Sequence, residues 1–355
     1  MRQPEPPEVA PPPLPDLLIF SAPFHPAVGG MERFAEDLAT GLTQLGYHVE
    51  LATRTPAAAD DASAFPYPVT RVAGWVELAR ALLRHPLVVF VGLTFYDVLL
   101  ATLLRRRIVL THHGPYAIYG DERRFTAGNV KRWMSRFYHN ICVSEYLAGW
   151  LPGQPLVIHN GYRDDLFKPS SGARRPGSFA FVGRLVTEKG ADLLLRSFAR
   201  LRALRTDIHL TVIGDGPQYA MLVALAATLE CAEAVTFAGA QPAGAVAAML
   251  AQQACLVVPS IGDEPFGIVA LEGLAAGCEV IVTRRGGLPE AVGGFGWVVE
   301  PAVEPLCETM LAVQAGASRR SEPGLRLFLA DHQRKTVARR YAEAIAGFAW
   351  QRRKR

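Results

Sequence analysis

V-P-S-I-G-D-E-P-F-G-I-V-A-L-E-G-L-A-A-G-C-E-V-I-V-T-R-R-G-G-L-P-E, running from Val258 to Glu290, reads as strand, loop, helix, strand and turn. Glu264 and Glu272 bracket seven residues that begin Pro265-Phe266-Gly267. The spacing places Glu264 in a loop just after a strand and Glu272 about two turns into the following helix. A strand end, a tight glycine-bearing loop and a helix N-terminus together offer free backbone N–H groups and a positive dipole end. Carboxylates at the same place accept hydrogen bonds from hydroxyls. Amides that can hold phosphate, beside acids that can hold hydroxyls, suit a nucleotide-activated sugar.

Working outward, apolar runs alternate with helical periodicity along the whole chain, the pattern of parallel sheets with crossover helices. The first half shows strand-like runs at 17–21, 48–53, 87–91, 108–111, 140–143 and 156–159, with helical periodicity clearest at 31–45. Few clear elements stand out between residues 53 and 87. Pro, Gly and Ser then crowd residues 169–177, which marks a linker. A second series follows, with strands expected at 179–182, 209–213, 234–238, 255–259, 280–283 and 296–299, and helices at 192–204, 219–226, 243–252 and 269–276. The fold class expected is α/β: two Rossmann-like, doubly wound parallel-sheet domains facing a central cleft. The domains expected are a Pro-rich disordered lead (1–15), an N-terminal domain on the acceptor side (16–168), the linker, and a C-terminal domain on the donor side (178–327). One last helix over 328–349, with a basic tail to 355, is expected to pack back across the hinge.

At 355 residues, half of them apolar, the chain is long enough for two cores. No window reaches about 18 uninterrupted apolar residues, so no spanning helix is expected. The N-terminus lacks a basic segment followed by an apolar run, unlike a secretory signal. Five scattered cysteines without a C-x-x-C read as reduced, buried thiols of a cytoplasmic protein. The net charge of +4 is modest and points to no nucleic acid, but it is uneven. Arg105-Arg106-Arg107 is one cluster. Arg123-Arg124, Lys131-Arg132 and Arg136, interleaved with Phe125, Trp133, Phe137 and Tyr138, form another. A basic, aromatic-bearing helix can lie on an anionic membrane surface; a solvated helix with its aromatics turned inward fits the same residues.

Several strand ends carry chemistry. Phe181-Val182-Gly183-Arg184-Leu185-Val186-Thr187-Glu188-Lys189-Gly190 leaves a strand and enters a helix, with Arg184 and Lys189 just past the strand end, where an anion would rest. A guanidinium grips two phosphate oxygens in a fork and an ammonium acts as a point charge. Two cations can neutralise a diphosphate leaving group, so no metal or other cofactor is expected, and neither D-x-D nor H-E-x-x-H occurs. Val212-Ile213-Gly214-Asp215-Gly216-Pro217 is half of a dinucleotide fingerprint, equally readable as a plain strand-to-helix turn. In the first half, Gly29 and Gly30 let a ligand approach the backbone between a strand and a helix. His113, in Leu110-Thr111-His112-His113-Gly114, is favoured over His112 as the histidine facing the cleft. Asn160-Gly161 reads as a turn.

Taken together these residues resemble the large family of retaining glycosyltransferases with the GT-B fold, in the group called family 4. The resemblance runs from about residue 17 to 300 and is carried chiefly by residues 178–190 and 258–290. It implies that Glu272 binds the donor ribose, and that Glu264 with the amides of Phe266, Gly267 and Ile268 holds the transferred sugar. Arg184 and Lys189 would take the diphosphate. Gly30, beside Gly29, would let the first domain close on the distal phosphate, and His113 would sit against the donor sugar. Transfer with retention by same-face attack, the departing phosphate taking the acceptor proton, would need no covalent nucleophile. Gly277-Cys278-Glu279-Val280 departs from the family's usual small residue and proline at a turn. The donor would be a UDP- or GDP-sugar, the acceptor a lipid-linked or cell-envelope glycan, and the location the cytoplasm or the inner membrane face. A sugar-nucleotide epimerase or hydrolase on the same scaffold, and an inactive binding paralogue, remain the alternatives.

Overall fold

The structure, a computed structural model, describes residues 16–27, 29–57, 65–114, 127–170, 172 and 174–351. Among the described residues thirteen strands form two sheets. The first contains β1 (Leu17–Ser21), β2 (Val49–Thr53), β3 (Val69–Arg71), β4 (Leu87–Val91), β5 (Arg107–His112), β6 (His139–Cys142) and β7 (Leu156–Val157), in the order β3-β2-β1-β4-β5-β6-β7. The second contains β8 (Arg175–Val182), β9 (His209–Ile213), β10 (Val235–Gly239), β11 (Gln253–Val258), β12 (Glu279–Thr283) and β13 (Trp297–Val299), in the order β10-β9-β8-β11-β12-β13. All five pairings of the second sheet are parallel, as are β1 with β2 and β4, β2 with β3, and β6 with β7. Strand order reverses between β1 and β4 and between β8 and β11, and the carboxyl ends at such reversals are where α/β sheets bind ligands.

The helices are α1 (Gly30–Gln44), α2 (Trp75–Arg84), α3 (Phe95–Leu103), α4 (Ala127–Ser135), α5 (Glu145–Ala148), α6 (Ala191–Arg202), α7 (Tyr219–Thr228), α8 (Ala243–Leu250), α9 (Ile268–Ala276), α10 (Leu288–Val292), α11 (Val303–Gln314), α12 (Glu322–Asp331) and α13 (Arg334–Gln351). Alternate strand residues feed two cores in the second sheet. Phe179, Phe181, Cys255, Val257 and Ile281 join α6, α7 and α11 on one face, while Ala180, Leu256, Val258, Val280 and Val282 join α8, α9 and α10 on the other. Burial on both faces is what makes these strands continuous apolar runs rather than alternating ones. All five cysteines are buried free thiols.

The chain divides into two compact units, one ending at Leu110 and rejoined from Ile345, the other Thr111–Ala344. The sheets themselves change over between β7 and β8. β8 begins at Arg175, inside the stretch read as linker, because Arg175 N–H already bonds the carbonyl of Gln252 at 3.1 Å.

Other expectations are corrected. The stretch between residues 53 and 87 is not poor in structure: it holds β3 and α2, and β3 lacks an apolar run because all three of its residues are only half-buried. The single helix expected over 328–349 is two, α12 and α13. The break at His332-Gln333 frees backbone for a bridge to Tyr162, whose N–H bonds the His332 carbonyl at 3.0 Å, while Arg334 N–H bonds Asp164 at 3.2 Å. On α4, Trp133 and its neighbour Phe137 do not turn inward; both are exposed, edge to face at 5.0 Å, with Arg136 over Trp133 at 5.8 Å. Arg123, Arg124 and Phe125, the Pro-rich lead and the last four residues lie outside the described residues.

Candidate functional site

At the reversal point of the second sheet, Lys189 and Glu264 meet. Lys189 stands in a short turn after β8 and Glu264 in the loop after β11, and its Nζ lies 2.6 Å from Glu264 Oε1. The Ser260 hydroxyl donates to the same oxygen at 2.6 Å. Thr283, the last residue of β12, in turn donates to the Ser260 carbonyl at 2.5 Å. Three adjacent strand ends thus fix one carboxylate. Arg184 is exposed one residue beyond Gly183 and has no partner among the described residues. One cation is therefore held by an acid and the other is open to an incoming anion.

Beside this pair, α9 presents its N-terminus. Among the described residues the amides of Phe266, Gly267 and Ile268 find no acceptor. They point a positive dipole end out of the loop that carries Glu264. The contribution of Phe266 is its amide alone. Its ring is buried and stacks on His159 with centroids 5.1 Å apart. Glu272 is the fifth residue of α9, one turn in rather than two, and is buried.

The loop carrying Asp263, Glu264 and Pro265 is gripped from two sides by residues that the sequence did not single out. Ser144 Oγ donates to the Pro265 carbonyl at 2.6 Å, and Tyr146 OH lies 2.9 Å from Asp263 Oδ2. From the other side Gly287 N–H bonds the Glu264 carbonyl at 2.8 Å. Glu290 ties the two sides together. It accepts from the amides of Glu145 and Tyr146 at 2.7 and 2.9 Å and from His159 Nε2 at 3.1 Å. Burial raises the Glu290 pKa, but these three hydrogen bonds more than offset it and hold the carboxyl below its ordinary range. A depressed carboxylate stabilises the fold above that range and loses its contribution as pH falls through it. Glu290→Gln turns an amide N–H₂ toward a donor and should cost about 1–3 kcal/mol near neutral pH. Denaturant unfolding should show the gap between variant and parent closing as pH drops below the ordinary value of 4.5. A gap that stays constant through that window would remove Glu290 as the fastener.

In the first sheet, Gly29 caps α1 and Gly30 opens it, with no atom within 4 Å of where a Gly30 side chain would begin. Gly30 is exposed in the connection that follows β1, while a side chain on Gly29 would start 2.5 Å from the Glu32 carboxylate. At the end of β5, His112 is buried, with Nε2 2.9 Å from Asn140 Oδ1. Since Asn140 Nδ2 donates to the Ser135 and Tyr138 carbonyls, its Oδ1 must accept, so His112 Nε2 carries the proton. His113 follows half-buried, its Nε2 2.9 Å from Thr111 Oγ1. Burial, with the neighbouring His112, pushes its pKa down to about 3, which keeps the ring neutral at physiological pH. The half-fingerprint at Gly214 and Gly216 packs one loop against another. A side chain on Gly214 would start 1.8 Å from the Gly183 carbonyl oxygen, and one on Gly216 2.5 Å from that of Leu185.

Residues 28–166 match the model of Glycosyltransferase Family 4, and residues 163–314 that of Glycosyl transferases group 1. The chain is 30% identical over 274 residues to a GDP-mannose-dependent alpha-(1-6)-phosphatidylinositol monomannoside mannosyltransferase of Mycolicibacterium smegmatis, covering 68% of this chain and 70% of that one. It is 26% identical to a glycogen synthase of Mycobacterium tuberculosis, over 91% and 92% of the two chains. Anabaena HepE, solved in complex with UDP, superposes with a TM-score of 0.79 at 17% identity, covering 94% of this chain and all of that one.

Proposed function

The chain belongs to the family 4, group 1 glycosyltransferases of GT-B fold, and from that premise we propose that it moves a sugar from a nucleotide-diphosphate sugar to a lipid-linked or cell-envelope glycan, with retention of anomeric configuration and without a metal. The observation that carries this reading is the Lys189–Glu264 pair at 2.6 Å beside the unmatched amides of α9 and the open guanidinium of Arg184. A diphosphate entering there meets two cations and a helix N-terminus, which lower the cost of charge building on the leaving group. A divalent ion would supply the same neutralisation, so the two side chains take its place. Glu264, tethered by Ser260, accepts from sugar hydroxyls, and Glu272 from the ribose. His113, held neutral, hydrogen-bonds the sugar without adding positive charge near C1. The C1–phosphate bond breaks as the acceptor oxygen bonds C1 from the same face, and the departing phosphate takes the acceptor proton.

The donor reading draws on the relatives, for which GDP-mannose and UDP are named. The acceptor reading draws on the phosphatidylinositol mannoside of one of them. Exposed Trp133 and Phe137 beside Arg132 and Arg136 support contact with the cytoplasmic face of a membrane. No helix among the described residues is long and apolar enough to cross one.

A thermal-shift series over UDP- and GDP-sugars tests the donor, since a ligand at about 100 times its Kd adds roughly 2.7 kcal/mol. With the donor that responds, NMR of the fresh product should show the donor's anomeric configuration, and excess EDTA should leave the rate unchanged. An inverted product, a rate lost to chelation, or free sugar released without acceptor would each overturn its part of the reading.

A further inference from the structure

The α2–α3 layer of the first sheet carries apolar side chains that nothing among the described residues covers. Each helix already has a core face, Leu78, Ala81 and Leu82 on α2 and Val98 and Ala101 on α3. Each also has an apolar outer face. α2 exposes Val76 and Leu83, and α3 exposes Tyr96, Leu99 and Leu103, three and four residues apart and so on one stripe. At the heads of the two helices Trp75 and Tyr96 meet edge to face with centroids 6.1 Å apart. Trp75 is 50% exposed, Tyr96 66% and Leu103 71%. A contiguous patch of this kind on a water-soluble surface marks an interaction site.

Its border is cationic. Arg80 sits between Val76 and Leu83, and Arg105 and Arg107 follow the end of α3. All three are exposed and form no ion pair among the described residues. Arg54 lies over the Trp75 ring at 5.0 Å and pairs with buried Asp97. Glu77 is the one exposed acid from Trp75 to Arg107. Amphipathic aromatic rings at one end, aliphatic side chains along the stripe and unpaired arginines at the margin complement the boundary zone of an anionic bilayer. Both helices start at strand carboxyl ends, those of β3 and β4, so the Trp75–Tyr96 pair stands at the same end of the sheet as the Gly29-Gly30 turn.

We propose that the α2–α3 face docks on an anionic lipid surface and thereby sets the carboxyl end of the first sheet against the membrane, where the headgroup of a lipid-borne acceptor lies. This deepens the acceptor reading above and rests on it for its purpose. The full chain should co-sediment at low salt with vesicles of equal parts phosphatidylglycerol and phosphatidylcholine, and only weakly with phosphatidylcholine alone. Leu99→Ser with Leu103→Ser should lower the partition coefficient about tenfold or more, with the unfolding midpoint kept because both side chains are exposed. Arg80→Glu with Arg105→Glu should lower it and remove most of its salt dependence. Wild type left in the supernatant, or a leucine variant that sediments like wild type, overturns the proposal. So does a wild-type dimer in sedimentation velocity that the leucine variant returns to monomer, which would give the face to a second copy. Thermal shift by nucleotide sugars, read without vesicles, should match in all variants. Its absence from the wild type would sink the sugar-transfer reading and leave the vesicle result standing.

Discussion

Lys189→Ala loses about 10³-fold in kcat/KM toward a nucleotide-diphosphate sugar, yet unfolds within about 1 kcal/mol of the parent chain. The two halves of this expectation have different origins. Lys189 spends its charge on Glu264, 2.6 Å away, with its side chain 32% exposed. Glu264 is 13% exposed and keeps the Ser260 hydroxyl as a donor when the ammonium is gone, so the loss of the ion pair costs the fold little. With a diphosphate present the same ammonium becomes one of two cations facing the leaving group. Deleting it removes a transition-state contact, and it also leaves the Glu264 carboxylate bare beside developing negative charge. The loss therefore exceeds that of a single hydrogen-bond donor. Lys189→Arg keeps the charge but replaces a point contact with a planar fork that cannot meet Glu264 Oε1 in the same way, and an intermediate loss of about tenfold is expected. Steady-state rates with the donor identified by thermal shift decide the matter. Turnover of the alanine variant within about threefold of wild type would break the link between this pair and the leaving group.

How much of this could be read from the chain depended on whether the signal was local. β1, β4 and β9 occupy the residues that their apolar runs marked, because strands buried on both faces leave no other reading. β3 had no such run, since only its pairing with β2 makes it a strand. The helix expected over residues 328–349 shows no stop in the sequence. What breaks it is the bridge from His332-Gln333 back to Tyr162, which lies far away in sequence. Lys189 and Glu264 each carried a local mark, one past a strand end and one before a helix. Their pairing across 75 positions carried none. Ser144 and Tyr146 look like ordinary residues at a helix start, and only their partners 121 and 117 positions away make them holders of the Glu264 loop. The glutamates of the motif were legible; the scaffold that aims them was not.

That scaffold leads to the other large effect expected, at Gly286. Gly286→Ala should lower stability by about 2–4 kcal/mol and cut kcat/KM about 10²-fold. Gly286 sits at φ +56, and a Cβ there would begin 2.1 Å from the Glu264 carbonyl oxygen and 2.7 Å from the Glu264 nitrogen. Both obstacles are backbone, so no side-chain rotation relieves the overlap; either Gly286 or the Glu264 loop must move. The loop cannot yield freely, because Gly287 N–H, Ser144 Oγ and Tyr146 OH hold it at three points. Whatever gives way displaces Glu264 from Lys189 and Ser260, and a misplacement of about 1 Å at a positioning group is enough for the rate loss. Gly294 provides the control. It also has a left-handed backbone, φ +86, but nothing lies within 4 Å of its would-be Cβ. Gly294→Ala should therefore cost only the conformational strain, about 1 kcal/mol, with turnover intact. If both alanine variants unfold alike and both keep full turnover, the contact between Gly286 and the Glu264 backbone is not what fixes the donor loop.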